Sequence, residues 1–411
     1  MNRPNVLLIT VHDLGDRLGC YGHASVGSPN LDRLASEGVR LANHFTTGVY
    51  CSPSRGSIMT GLHPHVNGLQ GLAHRGWDLK PDVKTLPQML KGTDYRSVLL
   101  GYQHETPRDN VTRLGYDEHV AAGLKLSEAV IPEALAFFDS RAKEMRPWFA
   151  ALGVFEVHNR YDDYESDDPD RVEMPAYVPD CPEAREDMAA FDGAIRYMDA
   201  RMGEVLDALD ANGLSENTIV LFTTDHGPAW PRAKATVYDP GLRCALIVRH
   251  PAAANPGGVM DAMTSHVDIT PSILELMGLP QPEPTEGVSF APALRGEPFS
   301  NRQHIFAEDL ATRAIRTERF KYVRRFRDNL PAMVPAWLRA RPYAVNFAEE
   351  WSPLPTEELY DLERDPLERC NLIDAPEHTK TRDDLRGTLQ QWLEDTNDRI
   401  LKGVIPERTL T

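Results

Sequence analysis

Asn5-Val-Leu-Leu-Ile-Thr-Val-His-Asp13 decides the fold class. Residues 6–11 are apolar or β-branched without alternation, which is the pattern of a strand covered on both faces. The run then stops abruptly in His12-Asp13. Similar short runs recur at 97–100, 148–155, 218–223 and 245–249, separated by segments of helical period. The clearest of these helices is 188–209, where Phe191, Ile195, Met198, Met202, Val205, Leu206 and Leu209 recur at steps of three and four and line one buried face. A second begins after Ser265-His-Val-Asp268, carries Ile273, Leu274 and Leu276, and ends near Gly278. Strands alternating with helices predict an α/β protein with a central mixed, mostly parallel sheet flanked by helices. A Pro- and Gly-rich stretch at 280–296 reads as a linker. Beyond it come β-like segments within 313–326 and an amphipathic helix around 383–393, which give a smaller C-terminal α+β subdomain. The expected division is 1–300 and 301–411.

The chain has 411 residues, 41% hydrophobic and 26% charged, enough for one large core and a smaller one. Lys plus Arg at 44 against Asp plus Glu at 61 give a formal charge of −17, which argues against nucleic acid or an anionic membrane surface as a partner. No stretch approaches the ~20 apolar residues of a membrane span. Cysteines at 20, 51, 181, 244 and 370 contain no CxxC pair, and an odd number leaves one outside any disulfide framework. Together with an N-terminus that lacks a signal-peptide apolar region, this predicts a cytoplasmic protein. Cys20 and Cys244 lie beside apolar runs and read as packed hydrophobes. Oligomeric state stays open.

In open α/β sheets ligands bind outside the carboxyl ends of the strands. Here those ends carry His12-Asp13, Gly101-Tyr-Gln-His104, Glu156-Val-His158 and Asp225-His226-Gly227. Any one could be a solvated turn, but two Asp and four His at four ends are unlike chance. Asp13, Asp225 and His226, with His12, form a plausible ligand set for one divalent cation. His104 and His158 remain as acid and base candidates, because unperturbed imidazole titrates near neutrality. A further candidate is Cys51-Ser-Pro-Ser-Arg55. Pro53 suits the first turn of a helix, so Cys51 sits at or just before a helix N-terminus, where backbone amides and the guanidinium of Arg55 favour a tetrahedral oxyanion.

Cys51-Ser-Pro-Ser-Arg55 resembles the C-x-P-x-R signature of type I sulfatases, of the alkaline phosphatase superfamily. The resemblance covers nearly the whole chain. It includes Asn5 to Asp13, Gly61-Leu-His-Pro-His-Val-Asn-Gly68, Thr224-Asp-His-Gly227, Tyr238-Asp-Pro-Gly241 and the closing Glu358-Leu-Tyr-Asp-Leu-Glu-Arg-Asp-Pro366. The signature with its downstream Asn-Gly, and Trp392-Leu-Glu-Asp-Thr-Asn397, look most like the heparan N-sulfatase (sulfamidase) branch. The resemblance implies an alkaline-phosphatase-like fold and hydrolysis of a sulfate ester or sulfamate on a small anionic substrate such as an N-sulfoglucosamine-like sugar. It also implies that a formylglycine-generating enzyme oxidises Cys51 to formylglycine, whose hydrate attacks sulfur while the metal and Arg55 hold the sulfate. Cys51 would thus also face the metal bound by His12, Asp13, Asp225 and His226. His158 matches the group that protonates the leaving atom, His104 the base that collapses the sulfo-enzyme, and Lys234 the lysine that contacts sulfate. Superfamily relatives that hydrolyse phosphonate monoesters or phosphodiesters, and a non-catalytic anion-binding relative, are the alternatives.

Two positions depart from the family pattern. His12 stands where most sulfatases have aspartate, which moves the metal preference from Ca2+ towards Mn2+ or Zn2+. Tyr102 stands where most carry a lysine, so either another cation substitutes, with Arg108 and Arg75 as candidates, or the rate or substrate differs. His74 and Arg75 lie where substrate-recognition loops follow the signature in this family. His63 and His65 read as solvated turn residues or as pocket lining. The basic run Arg313, Arg316, Arg319, Lys321, Arg324, Arg325, Arg327 reads as a solvated strand face or as a patch facing an anionic sugar.

Overall fold

The computed structural model describes residues 3–158, 161–403 and 405–406. Its centre is β1 (Asn5–Val11), every residue of which is buried. β1 lies parallel to both β5 (Trp148–Gly153) and β6 (Thr218–Thr224). Because strand side chains alternate, Leu7, Ile9 and Val11 enter one apolar cluster and Val6 and Leu8 another. This explains why the run shows no polar alternation: there is no wet face. The first cluster holds the helices Pro29–Glu37, Ser127–Arg141 and Pro182–Ala211, and the second the helices Cys51–Thr60 and Ile269–Leu276.

The large sheet has eight strands in the order β4-β3-β5-β1-β6-β7-β2-β8. Its other members are β2 (Val39–Phe45), β3 (Arg96–Gly101), β4 (Glu118–Val120), β7 (Leu246–Arg249) and β8 (Gly258–Ser265). Only β7 runs antiparallel to its neighbours, β6 and β2. A second, antiparallel sheet is ordered β12-β11-β10-β9, from β9 (Ile305–Glu308), β10 (Thr312–Arg316), β11 (Phe320–Arg325) and β12 (Glu357–Asp361). The helix Thr379–Asp395 packs on it through Leu385, Leu389 and Leu393. The α/β fold and its smaller C-terminal sheet are those expected from the sequence. Ile315, Tyr322 and Leu359 of the second sheet share one cluster with Val6 and Leu8, so the two sheets are packed through a common core. Among the described residues no helix is long and apolar enough to cross a membrane, and all five cysteines are free.

The basic run divides: Arg319 and Arg327 are exposed and Arg324 is half-buried, whereas the other four turn into the fold. Arg313, Arg316, Lys321 and Arg325 are buried and neutralised within the fold. Arg313 Nε lies 2.6 Å from Asp398 Oδ2 and 3.1 Å from Glu308 Oε2. Lys321 Nζ lies between Asp239 Oδ1 at 2.6 Å and Glu368 Oε1 at 2.7 Å, Arg316 also meets Asp239, and Arg325 meets Glu358. Buried charges persist only when paired in this way. His63 and His65 are likewise buried rather than solvated, facing Glu286 at 3.1 Å and Glu308 at 3.0 Å.

Candidate active site

The carboxyl ends of β1, β3, β5 and β6 deliver the predicted residues to one place, and the helix Cys51–Thr60 aims its first residue at them. After β1 the backbone turns sharply, with Asp13 in the left-handed region at φ 51°. The Asp13 N–H donates to Asp225 Oδ1 at 3.0 Å, which ties the ends of β1 and β6 together. Cys51 is the first residue of its helix and is buried. Its Sγ lies 4.0 Å from Asp13 Oδ1, 3.4 Å from His226 Nε2 and 3.8 Å from Lys234 Nζ.

Ligand atoms of His12, Asp13, Cys51 and Asp225 all lie within 4.8 Å of one another. Burial, then Arg55, lowers the His12 imidazole to about 3, so it is neutral and able to ligate. His12 Nδ1 is 2.8 Å from Asp225 Oδ2, and its Nε2, also buried, has no hydrogen-bond partner among the described residues. His226 Nδ1 donates to the Gly227 carbonyl at 2.8 Å. His226 Nε2 lies 3.5 Å from Asp13 Oδ1. Two buried carboxylates, the neutral imidazole of His12 with its unpartnered Nε2, and the His226 ring beside Asp13 fit a divalent metal.

The positive groups are equally fixed. Lys234 Nζ holds both Asp13 oxygens, at 2.8 and 2.6 Å. Burial opposes ionisation of Asp13, yet Lys234, His158 and His226 keep its carboxyl below the usual range. Arg55 is buried beneath the ligands, with Nε 3.3 Å from Asp225 Oδ2 and Nη2 donating to Val11 O at 3.1 Å. Burial pushes the Cys51 thiol well above its ordinary value despite Lys234. A reduced Cys51 is thus a protonated, weakly nucleophilic thiol.

His104 and His158 flank His12, their ring centroids 6.0 and 5.9 Å from its own. Burial, with His12 and Arg55, drives the His104 imidazole well below its ordinary value, and its buried Nδ1 has no hydrogen-bond partner among the described residues. Its Nε2 lies 3.1 Å from His74 Nδ1, with the two rings nearly coplanar at 6°. Burial also keeps His158 below its ordinary value, although Asp13 opposes this; His158 Nε2 is 3.9 Å from Asp13 Oδ2. Tyr102 packs 5.3 Å from the His12 ring. Arg75 is exposed at the rim beside His74. Arg108 Nη2 donates to the Gly123 carbonyl at 2.7 Å.

Sequence reasoning missed several supporting groups. Glu156, at the end of β5, turns away from the cations and accepts from Ser127 N at 2.9 Å and Ser127 Oγ at 2.7 Å. Phe155 stacks on His158 at 4.4 Å, and Lys125 Nζ stands over the Phe155 and Tyr102 rings. Ser54, inside the signature itself, bonds the Asp225 carbonyl and lies 3.0 Å from His266 Nδ1. A serine between Pro53 and Arg55 carries no distinctive signal of its own, and Lys125 lies outside any strand end.

The sulfatase family profile matches residues 4–279, and the profile described as N-sulphoglucosamine sulphohydrolase, C-terminal, matches residues 230–331. An ulvan-active sulfatase of Formosa agariphila is 28% identical over 426 residues, 98% of this chain and 82% of its own length. Human N-sulphoglucosamine sulphohydrolase is 27% identical over 457 residues, 96% of this chain and 91% of its own. Among solved structures, a phosphonate monoester hydrolase from Silicibacter pomeroyi shares the fold with a TM-score of 0.75 at 21% identity, covering 99% of this chain and 100% of that one. With a family profile spanning most of the chain and relatives similar along almost its full length, the protein belongs to the sulfatase family of sulfuric ester hydrolases.

Proposed function

We propose that the protein hydrolyses a sulfate ester or sulfamate on a small anionic sugar of the N-sulfoglucosamine kind. In this proposal Cys51 is converted to formylglycine by a formylglycine-generating enzyme, and one divalent cation is bound by His12, Asp13, Asp225 and His226. The observation that carries it is the position of Cys51, at a buried helix start with Sγ within 4.0 Å of Asp13, His226 and Lys234. The match to the N-sulphoglucosamine sulphohydrolase C-terminal profile supports the sugar class. Two imidazoles among four ligands favour Mn2+ or Zn2+ over the Ca2+ that family resemblance implies.

When bound, the cation polarises the sulfuryl group and the modified residue provides an oxygen nucleophile. Lys234 and Arg55 pair with Asp13 and Asp225 and set positive charge beside the position proposed for the sulfate. His158, partly exposed at the mouth, is lowered by burial and so must first take up a proton, which it then passes to the leaving oxygen or nitrogen. His104 is held neutral with a free buried Nδ1, ready to take the proton whose loss releases sulfate. The phenol of Tyr102 offers a hydrogen bond but no charge.

Mass spectrometry of the Cys51 peptide, with rates on 4-nitrophenyl sulfate and 4-nitrophenyl phenylphosphonate, tests this. Formylglycine and faster sulfate turnover are expected. Phosphonate turnover without sulfate turnover would favour the phosphonate hydrolase alternative, for which the histidine ligands speak. An unmodified thiol in protein from its native host would overturn the covalent mechanism.

A further inference from the structure

A cation over the Tyr102 ring comes from a loop outside the strand ends. Lys125 Nζ stands 5.6 Å from the Tyr102 ring centroid and 5.2 Å from that of Phe155, within cation–π range of both. These rings are edge-to-face at 5.3 Å. Tyr102 packs on His12 and His104, and Phe155 on His158, so the platform beneath Lys125 is the wall of the site itself. The backbone is fixed as well, because the Lys125 carbonyl accepts the Phe155 N–H at 2.8 Å. Two residues after Lys125, Ser127 at the start of the Ser127–Arg141 helix is anchored by Glu156.

This ammonium is held by rings rather than by a carboxylate. Among the described residues neither Lys125 nor Arg75 has a carboxylate oxygen within 4.0 Å, and both are exposed. After burial, Arg75 and then Lys125 are what lower the His74 imidazole, which places both charges around His74. The chain carries 61 acidic against 44 basic residues, and the cations inside the site, Lys234 and Arg55, are matched to Asp13 and Asp225. Two unmatched cations at its mouth are a surplus directed at something outside the fold.

We infer that Lys125, with Arg75 beside it, binds a second anionic group on the substrate and so determines specificity for sugars carrying two charges. This rests on the sulfohydrolase reading of the site. Tyr102 then moves the positive charge outward from the sulfate being cleaved to its neighbour on the same molecule. Sulfate and carboxylate share the chemistry that such a cation recognises.

The test uses the full-length, formylglycine-bearing protein. Wild type, Lys125→Met, which keeps the stem over both rings, and Lys125→Arg are compared on glucosamine N-sulfate, glucosamine N,6-disulfate and an N-sulfated glucosamine joined to a uronic acid. Lys125→Met is expected to lower kcat/KM for a two-charge substrate about tenfold more than for the monosulfate, mainly through KM. Lys125→Arg should restore most of the difference, and the wild-type preference should fade at high salt. The uronic acid arm tells whether sulfate or carboxylate is the group taken. An unchanged preference in Lys125→Met overturns the inference and leaves the sulfohydrolase reading standing. If wild type turns over none of the sugars, that reading fails instead. Calorimetric binding of the disulfate then decides the role of Lys125, and equal Kd in wild type and Lys125→Met overturns it.

Discussion

Lys234 Nζ grips both carboxylate oxygens of Asp13, at 2.8 and 2.6 Å, at the point where the cation ligands converge. Lys234→Met leaves Asp13 buried without its counter-charge, a loss of about 3–5 kcal/mol in metal-free protein. Calorimetry with and without added Mn2+ should show the metal recovering most of the lost Tm. Turnover should stay low, because the positive charge facing the sulfate is still missing. Full recovery of turnover would reduce Lys234 to a structural counter-ion.

His158 and His104 are separable by leaving group. His158→Ala should lose about 10²–10⁴ in kcat on a sugar sulfate, yet far less on 4-nitrophenyl sulfate, whose leaving group needs no proton. His104→Ala should fall similarly on both, because release of the sulfo group does not involve the alcohol. Equal losses for His158→Ala on both substrates would refute its role as acid.

Replacing His12 by Asp swaps a nitrogen donor for oxygen at a fully buried position. Metal analysis after dialysis against equimolar Mn2+, Zn2+ and Ca2+ should show His12→Asp shifted towards Ca2+. Chelation of the wild type should abolish turnover, and re-addition should restore it. A metal profile identical to wild type would place His12 outside the ligand set.

The buried His65–Glu308–Arg313 group makes stability depend on pH. Burial works against the charge on Glu308, but His65 and Arg313 lower it from 4.5 to about 2, so its contribution is present above 4.5 and is lost as pH falls towards 2. His65 is raised above 6.5 by Glu308 against the cost of burial, so its contribution is complete below 6.5 and is lost as pH rises through the folded value. Glu308→Gln should therefore cost most, about 3 kcal/mol, between those limits. The Tm gap to wild type should narrow on either side. A gap constant from pH 3 to 8 would contradict this coupling.

β1, β3, β5, β6 and β7 were legible because strands buried on both faces are written as unbroken apolar runs. β2 and β8 were not, since β2 interleaves buried and partly exposed residues, the first five residues of β8 are all at least partly exposed, and the two include Arg40, Asn43 and Asp261. The ligands, nucleophile and flanking histidines all follow strand ends or open a helix, positions that local sequence marks. Lys125 belongs to a loop and reaches the site only through two rings from other segments. The basic run misled for the same reason: Asp398, the partner of Arg313, lies 85 residues away in sequence.

Arg316 and Lys321 of the second sheet meet at Asp239. Asp239 opens the short turn ending at Leu242, and within that turn the Gly241 carbonyl accepts the N–H of Gly227, the neighbour of His226. The far end of the chain is thus latched to the backbone that presents a metal ligand. A protein truncated before β9 would lose not a dispensable appendage but the clasp on its own catalytic centre, and inactivity should precede any failure of the large sheet to form.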